Sequence, residues 1–464
     1  MRPGIELSGK RVLVVGLART GIATALFCAG RGARVTASEE RAEEQMAEAA
    51  AKLREAGCAL EFGGHTAARF LDQDLIIPSP GVPQSLPQLV AARAEQIPVW
   101  SEIELAARFL RGRMVAITGS NGKTTTTALT GHILEGAGIP TIIAGNIGTP
   151  LISRVTETSD SSVTVVEVSS FQLEIIQEFR PDVGVLLNVT PDHLDRHASL
   201  EAYSRLKARL FENQIEQDAA VINADDPGAA QYAPSKAELF WFSRSKRVAS
   251  GAYLRGDEVV FRREGVETVL LHRRDIGLRG DHNVENVLAA VSAAVLVGAP
   301  PSAIAEGVKS FAGVEHRIEF VAEIAGVSYY NDSKATNVDA TLKALDAFPG
   351  GVIVILGGKD KGSDYGILRK SLRERARLVL LIGAAAEKIE TQLRGAVPVV
   401  RAGTLERAVE VAFERAHSGE TVLLAPACSS FDQFQSYEHR GRVFKQLVHR
   451  LEEPHSGGAP ARKE

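Results

Sequence analysis

A chain of 464 residues is too long for one hydrophobic core and is expected to divide into about three domains. Its 45% hydrophobic and 24% charged content suits an ordinary folded protein, and a net charge of -4 leaves no footprint for nucleic acid. No window approaches the ~20 apolar residues needed to span a bilayer, Met1 to Lys10 lacks the apolar core of a signal peptide, and Cys28, Cys58 and Cys428 have no metal spacing, so a cytoplasmic chain with reduced thiols is expected.

The first stretch opens on a buried strand, Arg11-Val-Leu-Val-Val15, that runs into Gly16-Leu-Ala-Arg-Thr-Gly21. A helix over about Thr20 to Ala29 and a second strand over Ala33 to Ala37 complete a βαβ start. Ala18 stands where the dinucleotide fingerprint has its second glycine, so the turn favours a phosphate-bearing or uridine-bearing ligand over NAD. The second strand ends at Ser38-Glu39-Glu40. A later strand, Asp74 to Ile77, leads into Pro78-Ser-Pro-Gly-Val-Pro83, whose fixed φ angles would make either a rigid wall or a plain connection. Ile97 to Glu102 hands the chain to the next domain.

The central stretch is organised around Ala116-Ile-Thr-Gly-Ser-Asn-Gly-Lys-Thr-Thr125. An apolar strand enters a glycine turn, Gly119 to Gly122, and a helix follows from Lys123 to about Ala137. This arrangement holds a nucleotide triphosphate: backbone N–H groups meet phosphates, Lys123 neutralises them, and a threonine hydroxyl reaches Mg²⁺. Ile117 stands where the general pattern has its first glycine. Ala144-Gly-Asn-Ile-Gly148 is a second glycine-rich loop. The strand from Ser162 to Val168 carries Glu167 near its end, where an acid beside a phosphate loop holds Mg²⁺ or an ion-pair partner. The strand from Val183 to Val189 leads to a loop bearing Asp192, His193 and Asp195.

In the next helix, capped by Ser199, Leu200, Tyr203, Lys207, Leu210 and Gln214 form one stripe, with Arg205, Arg209, Glu212 and Glu216 on the other side. Lys207 therefore lies in line with apolar residues. Burial there would favour a neutral amine, able to take up CO₂ as a carbamate; a lysine snorkelling to solvent is the plainer reading. Further on, Asn283 and Asn286 share a helix face, suited to a base edge or to capping.

In the last stretch Arg317 could reach a phosphate or pair with Glu315 or Glu319. Tyr329-Tyr-Asn-Asp-Ser-Lys-Ala-Thr-Asn337 gathers Asp332, Lys334 and Thr336 at a strand end. Strands over Val352 to Leu356, Leu378 to Ile382 and Thr421 to Leu424 alternate with helices, which predicts a parallel sheet with ligands where the strands end. Lys361 and Ser429-Ser430 would suit a substrate with carboxylates. Pro454 to Glu464, rich in glycine, proline and charge, is expected to carry no regular structure.

Taken together, Thr118-Gly-Ser-Asn-Gly-Lys-Thr-Thr125, Glu167-Val-Ser-Ser-Phe-Gln-Leu-Glu174, Asn188-Val-Thr-Pro-Asp-His-Leu-Asp195, His316-Arg317, Asn331-Asp-Ser-Lys-Ala-Thr-Asn337 and Ser430-Phe-Asp-Gln-Phe434 resemble the Mur ligases in order and spacing. The likeness covers nearly the whole chain. The Asn331 and Ser430 runs look like the D-glutamate-adding member, and the Asp-Asn-Pro-Arg run of the diaminopimelate- or lysine-adding relative is absent. The resemblance implies an α/β chain of three domains: a Rossmann-like uridine-sugar domain over 1–101, a central P-loop-type ATP domain with a parallel sheet over 102–313, and a Rossmann-like amino-acid domain over 314–464.

It further implies an ATP-dependent amide ligase of peptidoglycan synthesis that adds D-glutamate to UDP-N-acetylmuramoyl-L-alanine through an acyl phosphate. Lys123 then matches the phosphate lysine of the loop Gly119, Ser120, Asn121, Gly122, Thr124 and Thr125. Thr124, Glu167, His193 and Lys207 match the site of one or two Mg²⁺, Lys207 as a lysine carried as a carbamate, with Lys123, Glu167, His193 and Lys207 as the catalytic set. Asn286, Arg317 and Asp332 match ATP contacts. Leu17, Arg19, Thr20 and Asn146 match nucleotide-sugar contacts, Lys334 and Thr336 residues near the reacting groups, and Lys361 (with Lys359 competing), Ser430 and Tyr437 the D-glutamate pocket. Ser38-Glu39-Glu40 departs from the acid-then-basic pattern expected at the uridine site. A monomer that closes around small-molecule substrates, without nucleic acid or membrane, is expected. Another Mur ligase, a folylpolyglutamate synthase-like ligase and a non-catalytic nucleotide switch are the alternatives.

Overall fold

The computed structural model describes residues 4–146, 148–191, 196–197, 199–234 and 236–452. Asp192, His193, Asp195 and the tail from 454 onward lie outside them. The architecture is α/β with three sheets. The first contains β1 (Arg11–Val15), β2 (Arg34–Glu39), β3 (Ala59–Phe62) and β4 (Leu75–Pro78), all parallel, in the order β3-β2-β1-β4. Val12 to Val15 are fully buried, because helices cover both faces of a parallel sheet and leave no room for alternation. The helix α1 (Arg19–Gly30) follows β1. Its Gly21 packs so close that a Cβ would lie 1.9 Å from the Gly16 carbonyl oxygen, which only glycine permits.

The second sheet contains β5 (Arg113–Thr118), β6 (Thr141–Gly145), β7 (Val163–Glu167), β8 (Val183–Leu186), β9 (Ala219–Asn223), β10 (Glu238–Ser243), β11 (Gly251–Arg255), β12 (Glu258–Arg263) and β13 (Val266–His272). Their order is β13-β12-β11-β10-β9-β8-β5-β7-β6. The β11–β12 and β12–β13 pairs are antiparallel and extend one edge of an otherwise parallel sheet. The helix α2 (Lys123–Gly136) follows β5, and α3 (Leu200–Ala208) follows β8. At Arg209 the expected longer helix tightens into a 3₁₀ turn, Arg209–Phe211. That change of pitch brings Arg209, expected on the outer side, against the carbonyls of Leu173, Glu174 and Ile176. Leu200, expected on the buried stripe, is exposed.

The third sheet contains β14 (Glu319–Ile324), β15 (Val327–Asn331), β16 (Val352–Gly357), β17 (Ala376–Ile382), β18 (Val399–Gly403) and β19 (Thr421–Leu424), ordered β14-β15-β19-β16-β17-β18. Only β14 runs antiparallel. The helix α4 (Asp281–Leu296) precedes it and α5 (Tyr437–Arg450) closes it. By contact density the chain forms two compact units, 1–276 with 285–311, and 277–284 with 312–452 onward. The first two sheets share one unit. Among the described residues no helix is long and apolar enough to cross a membrane.

The first two sheets are joined through a short helix, Glu102–Ala107, capped by the Ser101 hydroxyl. Both of its acids are buried. The Glu104 carboxylate accepts from the backbone amides of Gln177, Glu178 and Phe179 and from Arg108, so it is fully satisfied. Glu102 accepts from the Ile152 amide at 2.7 Å. Burial raises its pKa to about 7, against the smaller lowering effect of the Leu151 and Ile152 amides and Gln172. A carboxyl raised in the folded state stabilises the fold fully below its unfolded pKa and loses that contribution as pH rises through about 7. The melting temperature should therefore fall more between pH 5 and pH 8 in the wild type than in Glu102→Gln, by several degrees, as read by calorimetry. Parallel curves for the two proteins would contradict this.

Candidate active site

The central site forms where β5 and β8, adjacent in the second sheet, release their chains. Gly122 opens α2 at φ +84 with its Cα so close to Asn286 that a Cβ would lie 2.2 Å from the Asn286 Oδ1, so no other residue fits. The loop after β8 zips onto the glycine turn. Ser120 N–H donates to the Asn188 carbonyl at 3.0 Å, Asn121 N–H to the Asn188 Oδ1 at 2.8 Å, and the Ser120 hydroxyl to the Thr190 carbonyl at 2.9 Å. Local sequence thus makes the turn, and the neighbouring loop holds its shape.

Two lysines meet on this turn. The Lys123 ammonium donates to the carbonyls of Gly119 at 2.7 Å and Ser120 at 2.8 Å. Lys207, 1% exposed, donates to the same Gly119 carbonyl at 2.9 Å, with its ammonium 4.4 Å from the centre of the Tyr203 ring. The stripe position is confirmed: this lysine is buried and does not snorkel. The turn they share opens the N-terminus of α2, where backbone N–H groups and a lysine form the setting that a polyphosphate fills.

Beside them, Glu167 is 2% exposed at the end of β7. One carboxylate oxygen accepts from the Thr124 hydroxyl at 2.8 Å and the other from the Asn146 amide at 2.9 Å. A hydroxyl and a carboxylate side by side are the hard oxygen donors that suit Mg²⁺, which completes its shell with water and phosphate. Among the described residues no group of three His, Cys, Asp or Glu comes together in the manner of a metal site. Thr125 is buried behind Thr124, and the Thr126 hydroxyl reaches Asn286 Oδ1 at 3.4 Å. His193 lies outside the described residues.

In the first sheet, Leu17, Arg19 and Thr20 sit where β1 meets α1. The Leu17 amide donates to the Glu39 carboxylate at 2.7 Å, and the Arg41 guanidinium grips the same carboxylate through Nε at 2.9 Å and Nη2 at 3.0 Å. Burial would raise the Glu39 pKa, but Arg41 and the Leu17 amide override it and hold the group at about 2. Glu39 and Arg41 thus form an ion pair just after β2, one residue beyond the Ser38-Glu39-Glu40 run. Arg19 donates to the Gly148 carbonyl, which ties α1 to the loop bearing Asn146.

In the other unit, the ends of β15, β19 and β16 lie side by side, with Asn331, Leu424 and Ile355 in register. Asp332 follows β15 and is buried; burial raises its pKa to about 7, partly offset by the Arg317 charge. Lys334 lies with its ammonium 5.1 Å from the centre of the Tyr437 ring. The Thr336 amide folds back on the Lys334 carbonyl at 2.7 Å. Ser430 is buried in the loop after β19, while Lys359 and Lys361 are both exposed and flank Asp360, which pairs with Lys388 at 2.7 Å. Sequence reasoning missed Arg440. This fully buried guanidinium donates to the Ser333 hydroxyl and carbonyl and to the Cys428 carbonyl, pinning the two loops together. Its signal was a basic residue in register with buried Phe444 and Val448 on α5.

Of the expected site residues, Gly119 to Thr125, Asn146, Glu167, Lys207 and Asn286 gather in one unit. Arg317, Asp332, Lys334, Thr336, Lys361, Ser430 and Tyr437 belong to the other.

Known proteins share this organisation. The Mur ligase MurD-like N-terminal domain matches residues 10–101, the Mur ligase middle domain 117–294, and the Mur ligase glutamate ligase domain 316–428. The UDP-N-acetylmuramoylalanine–D-glutamate ligase of Koribacter versatilis is 52% identical, covering 97% of this chain and 99% of its own. That of Solibacter usitatus is 54% identical over 97% and 99%. A solved UDP-N-acetylmuramate-alanine ligase from Thermotoga maritima has the same fold, with a TM-score of 0.60, 21% identity and coverage of 95% and 99%. With three consecutive domains matched and relatives this similar along their full lengths, the chain belongs to the Mur ligase family.

Proposed function

We propose that this chain joins the amino group of D-glutamate to the alanine carboxylate of UDP-N-acetylmuramoyl-L-alanine, at the expense of ATP, in peptidoglycan synthesis. The observation that carries the reading is the meeting of Lys123 and Lys207 on the Gly119 carbonyl beside the Thr124–Glu167 pair. The full-length likeness to ligases of that name supports the substrates.

The alanine carboxylate oxygen forms a bond to the γ-phosphorus of ATP as the bond to the β-phosphate oxygen breaks. Lys123 and the amides of the glycine turn offset charge on the transferring group, stabilisation that costs no reorganisation because the loop after β8 already fixes the turn. Mg²⁺, when bound through Thr124 and Glu167, with His193 in the same set, supplies further charge neutralisation. ADP leaves and an acyl phosphate remains. The neutral amine of D-glutamate attacks its carbonyl carbon, phosphate departs, and the excess proton passes to a base, for which His193 is the candidate.

Lys207 is read as the carbamate of its family: the ammonium gives up one proton, and the neutral amine adds to CO₂ and loses a second, turning a buried cation into an anion. Leu17, Arg19, Thr20 and Asn146, joined by Glu39 and Arg41, face the nucleotide sugar. Asn286, Arg317 and Asp332 serve ATP, Lys334 and Thr336 the reacting groups, and Lys361, Ser430 and Tyr437 the D-glutamate carboxylates. We place the enzyme in the cytoplasm as a monomer, where ATP is plentiful and its buried free thiols stay reduced.

Purified protein given ATP, Mg²⁺, UDP-N-acetylmuramoyl-L-alanine and D-glutamate should release phosphate, and omission of any one substrate should end net turnover. Release with L-glutamate and a folate in place of both acceptor substrates would contradict the assignment.

A further inference from the structure

We propose that Arg196 is a positioning residue that clasps the substrate crevice of the first sheet to the phosphate crevice of the second. The inference rests on the ligase reading and adds a residue to it.

In an open parallel sheet, ligands bind where neighbouring strands leave in opposite directions. In the first sheet that point lies between β1 and β4. Its two lips are the turn at Gly16 and the loop Pro78 to Pro83, joined by the Ser79 hydroxyl donating to the Gly16 carbonyl at 2.6 Å. In the second sheet the loops after β5 and β8 are the corresponding pair.

Arg196 stands on the loop after β8 yet bonds to the first sheet. Its guanidinium donates to the Val82 carbonyl at 2.8 Å and to the Gly81 carbonyl at 3.3 Å, with partners more than a hundred residues away. It stacks 5.1 Å from the centre of the Phe171 ring and lies 3.9 Å from the Glu174 carboxylate, both on the turn that follows Glu167. His197 anchors the same end of the loop, through a 3.1 Å bond to the Ser170 hydroxyl and a stack on Phe171. The other end is fixed to the glycine turn through Asn188 and Thr190.

Described residues of the loop after β8 thus touch both the phosphate turn, through Asn188 and Thr190, and the wall of the nucleotide-sugar crevice, through Arg196. A planar fork can hold two successive carbonyls while its flat face stacks on Phe171, a combination an ammonium reproduces less well. Holding that wall sets where the sugar's alanine carboxylate ends up relative to the phosphate, and small misplacements there are costly.

The test is steady-state kinetics and calorimetric binding of UDP-N-acetylmuramoyl-L-alanine for wild type, Arg196→Ala and Arg196→Lys. For Arg196→Ala, KM for the nucleotide sugar and its calorimetric Kd should rise about tenfold or more, as expected for losing charge-assisted hydrogen bonds. KM for D-glutamate should stay nearly unchanged. Arg196→Lys should fall between, and guanidinium ion should restore part of the affinity of Arg196→Ala. Unchanged sugar affinity, or a uniform rise in all three KM values with a falling Tm and no rescue, would overturn the clasp. If Arg196→Ala does not fold, Arg196→Lys carries the same comparison. A wild type that binds the sugar but releases no phosphate would overturn the ligase reading alone, because the binding comparison needs no turnover.

Discussion

Replacing Lys123 with alanine is expected to lower phosphate release by a factor on the order of 10³ or more, while the protein stays folded. The side chain is half-buried and donates to carbonyls of its own turn, Gly119 and Ser120. The turn is also held independently by Asn188 and Thr190, so its shape does not depend on the lysine. What is lost is the cation facing the transferring phosphoryl group. The loss should appear in kcat with ATP saturating and persist with every acceptor. Stopped-flow phosphate release and a thermal melt on the same sample check both halves. Near-normal turnover would remove the glycine turn from the mechanism.

Replacing Lys207 with alanine is expected to lower turnover by a similar order, roughly 10³, for a different reason. A buried ammonium costs free energy, and here it shares a carbonyl with a second ammonium. As a carbamate, this side chain would be an anion beside the Lys123 ammonium, which would offset part of the cost of burying its charge. The variant leaves a space in which a short carboxylate can stand in for the lost anion. Formate or acetate should therefore restore a measurable, saturable fraction of activity to Lys207→Ala and none to Lys123→Ala. A Lys207→Ala protein with near-normal rate, or one that no carboxylate revives, would contradict the carbamate.

How much of this was legible in the residues follows from how local each signal is. The glycine turn could be read because strand, turn, Lys123 and helix are contiguous and each does its work through the backbone. Lys207 was legible only in part: a charged residue interrupts an apolar stripe, but the residues alone favoured snorkelling over the burial observed, and the helix ends sooner than its periodicity predicts, turning Arg209 inward at the 3₁₀ step. The ends of β15 and β19 were legible because alternating strands and helices dictate where a parallel sheet presents its loops.

Arg41, Arg196 and Arg440 were not legible. Arg41 completes a pair with Glu39 that only the curl of the chain after β2 brings together. Arg196 and Arg440 bond mainly to backbone carbonyls, and carbonyls have no sequence signature. Nor does anything in the neighbouring residues mark Glu102 and Glu104 for burial. Their burial follows from packing against Ile152 and Phe179, far along the chain.

The account's central claim is that ATP activates the alanine carboxylate by phosphorylating it. UDP-N-acetylmuramoyl-L-alanine labelled with ¹⁸O in that carboxylate, turned over with ATP, Mg²⁺ and D-glutamate, tests it directly when the released phosphate is examined by mass spectrometry or ³¹P NMR. Transfer of one ¹⁸O from the carboxylate to each phosphate is the predicted result. Phosphate free of the label, with the amide product still formed, would contradict it.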